Sequence, residues 1–230
     1  MPVRFAIYLV PPAGSALWER GCRWLGRDPE SGAVYAQPTV PGFAVDAIRT
    51  LTQSPRNYGF HGTLKAPFRL AQDVGARELL NNVGRLAGSL PALAMPALRV
   101  DRLHGFLALL PAGASTDVDA LAAQFVTGLD ALRAPIEPAD RARRLASGLS
   151  ARQQALLEQW GYPYVLDEFR FHMTISERLD PMEAERLRPW IEEWFAPALA
   201  EPSGAVDVGV FVQPGDGAEF TLRRRFRLMS

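Results

Sequence analysis

The chain has 230 residues, 48% hydrophobic and 22% charged, enough to bury a core without disulfide or metal staples and unlike disordered or fibrous proteins. Its 25 basic and 25 acidic residues cancel, which argues against a general polyanion binder, since such proteins carry a basic surplus. No run approaches the roughly 20 apolar residues of a membrane span, residues 1–5 lack a signal-peptide start, and the one cysteine, Cys22, forms no internal disulfide; the expected compartment is the cytoplasm.

In chain order, the pattern predicts a strand over 3–10, stopped by Pro11-Pro12, and a helix capped by Ser15 and ended by Gly26. Cys22 and the five tryptophans fall at helical spacing and read as core. After a Pro/Gly-rich loop over 37–42 come a helix over 43–51, a strand over 58–68 and a helix from an Asp73 cap to 90. Two strands, 97–103 and 106–110, flank a His104-Gly105 turn. Thr116 caps the next helix, a basic stretch covers 141–145, and Ser150 caps a helix to Trp160. A strand over 168–176, a helix from Pro181 and a hairpin of strands over 206–212 and 219–228 complete the chain. The class is α+β with largely antiparallel sheet, one domain over 1–230 made of two related units.

Two segments repeat. Phe60-His61-Gly62-Thr63-Leu64-Lys65 and Phe171-His172-Met173-Thr174-Ile175-Ser176 both read aromatic-His-x-Thr-aliphatic-polar, and they take two of the three histidines. Strand side chains alternate faces, so His61, Thr63 and Lys65 are expected on one face, and Arg170, His172, Thr174 and Ser176 on one face of the other strand. Two such ridges suggest a shared cleft. A zinc site is the rival, but it needs three or four protein ligands; Asp167 and Glu168 could contribute, but the first strand has no carboxylate. No metal and no cofactor is expected.

The duplicated His-x-Thr pattern resembles the 2H phosphoesterase superfamily. The opening Arg4-Phe5-Ala6-Ile7-Tyr8-Leu9-Val10-Pro11-Pro12, the segment from Tyr58 to Phe68, Trp160-Gly161-Tyr162-Pro163-Tyr164 and Asp167-Glu168-Phe169-Arg170-Phe171-His172 are similar to a bacterial subgroup of formerly unknown function associated with phosphonate metabolism. The resemblance implies a bilobal, pseudo-symmetric fold: two antiparallel sheets line a central cleft, with helices on the outer faces and one motif per lobe. It also implies metal-free hydrolysis of cyclic phosphodiesters on a ribose.

Ring opening by water needs a proton acceptor, a proton donor and stabilisation of charge on the phosphoryl oxygens. Two histidines, with ordinary pKa about 6.5, supply the first two. Thr63 and Thr174 are candidate oxyanion donors and Lys65 and Arg170 candidate phosphate-binding cations. Tyr8, Tyr58 and Ser176 are candidate pocket residues. His104 and the alternating Arg223, Arg225 and Arg227 are weaker candidates, and Arg141, Arg143 and Arg144 could guard the entrance but read better as a solvated helix face. The expected partner is a small phosphorylated substrate carrying a cyclic phosphate, with no membrane and no long nucleic acid. RNA end processing or ligation, and non-catalytic phosphate binding, are the alternatives.

Overall fold

The computed structural model describes residues 3–44, 46–201 and 204–229. Met1, Pro2 and Val45, which fall in the predicted start and second helix, lie outside the described residues. Among the described residues, seven strands, β1 (Arg4–Val10), β2 (Gly62–Phe68), β3 (Leu98–Leu103), β4 (Phe106–Pro111), β5 (Met173–Arg178), β6 (Asp207–Gln213) and β7 (Thr221–Arg227), are interspersed with eight α-helices. The helices are α1 (Ala16–Leu25), α2 (Ala47–Leu51), α3 (Gln53–Tyr58), α4 (Ala76–Ala87), α5 (Thr116–Gly128), α6 (Pro138–Leu145), α7 (Ala151–Trp160) and α8 (Pro181–Ala200).

The strands form two antiparallel sheets, ordered β2-β1-β6-β7 and β3-β4-β5. The fold is thus α+β with two sheets, as the pattern of elements predicts. The lobes do not divide the chain at its middle: the first takes both ends of the chain and the second its centre. α4 and α5 cover the first sheet, and α8 covers the second while packing on α1. The indole of Trp24 on α1 donates to the Ile175 carbonyl at 2.8 Å, tying that helix to β5.

Caps set several boundaries as the sequence suggests. The Ser15 hydroxyl accepts from Trp18 N, and Gly26 closes α1 in the left-handed region at φ 77°. Ser150 and Gln153 form a reciprocal capping box on α7, which satisfies two otherwise orphan amides. His104 (φ 48°) and Gly105 (φ 93°) make the two-residue turn between β3 and β4. A turn with two positive φ values matches the twist of an antiparallel hairpin.

Other boundaries differ. α4 starts from Gly75, not Asp73, and α5 from Ser115, not Thr116. The strand expected over 58–68 begins only at Gly62, because Gln53–Tyr58 forms a helix whose left-handed cap, Gly59, turns the chain. The strand expected over 168–176 is displaced: Leu166–Glu168 is a 3-10 turn and β5 runs Met173–Arg178. Each histidine therefore sits one residue before its strand, at the approach to the sheet.

Candidate active site

β2 and β5 are edge strands of their sheets, and the structure brings them together. Gly62 is what permits the approach. A Cβ there would lie 2.3 Å from a ring carbon of Phe171, so the residue between His61 and Thr63 packs directly on the aromatic before His172. A cleft of about 560 Å³ opens beside this contact. His61, Thr63, His172 and Thr174 all line it, with Tyr8, Tyr58 and Ser176.

The two histidines are held by the same local device. His61 Nδ1 is 2.8 Å from the Gly59 carbonyl oxygen, and His172 Nδ1 is 2.7 Å from that of Arg170. A carbonyl only accepts, so Nδ1 carries the proton in both rings and Nε2 is left unprotonated. His61 Nε2 is 3.1 Å from Thr63 Oγ1, and with the tautomer fixed the hydroxyl donates. Tyr8 stacks on the His61 ring, 3.6 Å between centroids at 17°. Phe106 lies 5.6 Å from the His172 ring.

Burial dominates the electrostatics. It pushes the His61 imidazole down to about 4, against a smaller upward pull from the Gly59 carbonyl and a further downward push from His172. His172 is lowered for the same leading reason. Uncharged imidazole is the stable form of both in the free cleft at neutral pH. Burial also raises the Tyr8 phenol well above its ordinary value, so it stays protonated.

Neither of the two expected cations lines this cleft itself. Strict alternation puts Lys65 on the His61 face, but β2 is bulged: Tyr8 pairs with Thr63 while its neighbour Ile7 pairs with Lys65. One extra residue reverses the facing. Lys65 turns away, donating to the Val126 carbonyl at 2.9 Å with Asp130 at 3.7 Å, and burial holds it near 8. Arg170 folds back on its own backbone, donating to the carbonyls of Asp167 and Phe169. It lines a second pocket, of about 420 Å³, that Thr63 and His172 share and that His104 and Tyr164 also line.

Ser176 lines the cleft but its hydroxyl is committed. It accepts from Leu107 N at 2.8 Å and donates to the Glu177 carbonyl, filling a ladder gap where Phe106 pairs with Arg178 and Ala108 with Thr174. Of the last strand's arginines, Arg225 is paired with Glu30 and Asp207, and Arg223 lines a groove beside α4.

Sequence reasoning missed other lining residues, Arg4, Phe106, Tyr162 and Arg178, and ranked the entrance role of Arg143 and Arg144, which also line the cleft, second. Arg4 was detectable, because it shares the alternating face of β1 with Tyr8. Arg178 lies beyond the expected end of its strand. Arg143 and Arg144 belong to the helix read first as a solvated face. Among the described residues, no group of three His, Cys, Asp or Glu could hold a metal ion. No helix among them is long and apolar enough to cross a membrane.

The sequence profile described as "Protein of unknown function (DUF1045)" matches residues 63–221. The chain belongs to the DUF1045 family. Two curated relatives, from Janthinobacterium sp. (strain Marseille) and Laribacter hongkongensis (strain HLHK9), bear the name ribose 1,5-bisphosphate phosphokinase PhnN. They are 39% and 36% identical over 89% and 96% of this chain, but over only 46% and 51% of their own lengths. The DUF1045 chain thus spans about half the length of these relatives. Among solved structures, E. coli LigT complexed with phosphate is similar over 100% of this chain and 99% of that one, at 16% identity and a TM-score of 0.42. E. coli LigT complexed with 3'-AMP is similar at 15% identity and a TM-score of 0.40.

Proposed function

We propose that this DUF1045 chain is a metal-independent phosphoesterase that opens a cyclic phosphodiester on a small sugar or nucleotide by two-histidine acid–base catalysis. The observation that carries the reading is the paired locking of His61 and His172: each gives Nδ1–H to the carbonyl two residues back and keeps Nε2 for the same cleft. A relay of that kind suits in-line attack on phosphorus, with one imidazole on each side.

His61, which burial holds down to about 4 and so keeps neutral, is the base. It takes a proton from water as the water oxygen bonds to phosphorus. His172, protonated once an anion lies beside it, gives its proton to the ring oxygen as the P–O bond breaks. The product is a phosphate monoester, and proton exchange with solvent resets both rings. When substrate binds, the Thr63 hydroxyl turns from His61 Nε2 to a non-bridging oxygen, freeing the nitrogen to act as base, and Thr174 donates alongside it where charge grows. The stacked Tyr8 holds the His61 ring and keeps bulk water off it.

A ribose phosphate fits the name of the relatives, which concerns a ribose with two phosphates. Their kinase activity is not carried over. The chain has a single lysine, Lys65, and it is buried against Val126, so it does not offer the Gly-rich, lysine-tipped loop that cradles a nucleotide triphosphate in many kinases.

The test is a screen of 2′,3′-cyclic nucleotides and ribose cyclic phosphates with the purified protein in EDTA. Turnover is expected to persist under chelation and to fall by roughly 10²–10⁴-fold in each of His61→Ala and His172→Ala, with circular dichroism unchanged. Activity lost in EDTA and restored by zinc or manganese, or wild-type rates in both variants, would overturn the reading. Tight oligonucleotide binding without turnover would favour RNA end processing or plain binding instead.

A further inference from the structure

We infer that the cleft contains a second anion subsite, built by Arg4 and Arg144, which takes a phosphate monoester carried by the substrate about one sugar ring away from the cyclic phosphate. The inference rests on the reading of the cleft as a cyclic phosphodiesterase site and adds to it the substrate's second charged group.

The first argument is charge. Four guanidiniums, Arg4, Arg143, Arg144 and Arg178, line the cleft with one carboxylate, Glu177, which accepts from the Ser54 amide; Arg143 is paired with Asp140, which leaves Arg4, Arg144 and Arg178 against Glu177. The chain as a whole balances 25 against 25, so this surplus is a local concentration. A cyclic phosphodiester brings a single negative charge. The threonines and a protonated His172 already meet it. Several guanidiniums beyond that match a further dianion, whose oxygens accept from planar N–H forks.

The second argument is placement. Arg4 and Tyr8 lie on one face of β1, four residues apart, which is about 13 Å between Cα atoms at about 3.3 Å per residue. Tyr8 stacks on His61, so Arg4 stands along the cleft from the histidines. Arg143 and Arg144 come from α6, which buries none of its residues. With Arg4 they also line a cavity of about 50 Å³ that adjoins this end of the cleft.

The third argument is availability. The carboxylates of that cavity are committed, Glu137 to Arg69 at 2.9 Å and Asp140 to Arg143 at 2.7 Å. Gln213 fixes Arg4 by accepting from its Nε at 2.7 Å while donating its own amide to the Ala218 carbonyl. Arg144 lies 4.6 Å over the Tyr162 ring. Neither Arg4 nor Arg144 forms an ion pair with a carboxylate among the described residues. The Arg4 Nη groups and the Arg144 fork are thus oriented by uncharged partners, with their charge left for a ligand.

The experiment compares adenosine 2′,3′-cyclic phosphate bearing a free 5′-hydroxyl with the same compound bearing a 5′-phosphate, in wild type, Arg4→Gln and Arg144→Gln. The 5′-phosphorylated form should have a kcat/KM about 10- to 100-fold higher, mostly through KM, and each variant should bring that ratio to within about threefold of one. Equal kcat/KM for both compounds in wild type, or an undiminished preference in both variants, would overturn the subsite. If neither compound is turned over, the proposed reaction fails on its own, and calorimetry with ribose 5-phosphate still decides the subsite. Binding weakened about tenfold or more by Arg144→Gln supports it, and an unchanged Kd refutes it.

Discussion

A buried imidazole does acid–base work only in the pH window its surroundings allow. With His61 held near 4 and His172 below its ordinary 6.5, the productive microstate, one ring neutral and one protonated, is most populated in the free protein on the acid side of neutrality. The expected kcat/KM profile is a bell with its maximum between about pH 4 and 6.5, and its limbs belong to the coupled pair. Bound phosphate raises both values, so the kcat profile lies at higher pH. A kcat/KM maximum above pH 7 would contradict the burial that sets these values. Lys65 offers a second check at this scale. Its ammonium lies on the far face of β2, so Lys65→Met should leave kcat/KM within about threefold of wild type while the urea midpoint moves. A drop of 100-fold in a folded Lys65→Met protein would return Lys65 to the cleft.

Secondary structure fixes how close the two motifs come. Gly62→Ala puts a methyl into the Phe171 ring, and forced overpacking of this kind costs roughly 1–3 kcal/mol. The variant should unfold at lower urea and lose kcat/KM as β2 and β5 separate. Adding Phe171→Leu should restore part of both, which a double-mutant cycle would register as coupling. The same strands mark the limit of what could be read from residues alone. The pairing of His61 with Thr63 and His172 with Thr174 was legible, because each pair spans a short stretch of extended chain. The facing of Lys65 was not, because the bulge opposite Ile7 and Tyr8 depends on the partner strand. Ser176 was legible as near the cleft, but its commitment to Leu107 N follows from a gap in the ladder with β4. α6 was legible as a basic helix; that it faces the cleft is a tertiary fact.

Across the whole molecule, the depressed histidines act on stability. Between about pH 4 and 6.5 the unfolded chain binds a proton at His61 that the folded chain refuses. Folding stability is therefore full above 6.5 and is lost as pH falls towards 4, by up to about 1.4 kcal/mol per pH unit. His172 adds in the same direction. The lowered carboxyls of Asp101 and Asp167 act below their ordinary value of 3.8, outside this window. Urea midpoints measured from pH 7 to 4.5 should decline in wild type and decline less in His61→Gln. Equal slopes would show that the folded protein accommodates the charged ring.

The meeting of β2 and β5 has a consequence apart from catalysis. Each is the last strand on one side of its sheet, and a sheet's last strand presents unpaired amides and carbonyls on which other chains can nucleate aggregates. Here the two edges are turned inwards, with Phe171 against Gly62 between them. The cleft between them is then also the shelter of two of the four sheet edges. Substitutions that spring the lobes apart should be seen first as turbidity on storage or gentle heating, and ligands that hold the lobes together should suppress it.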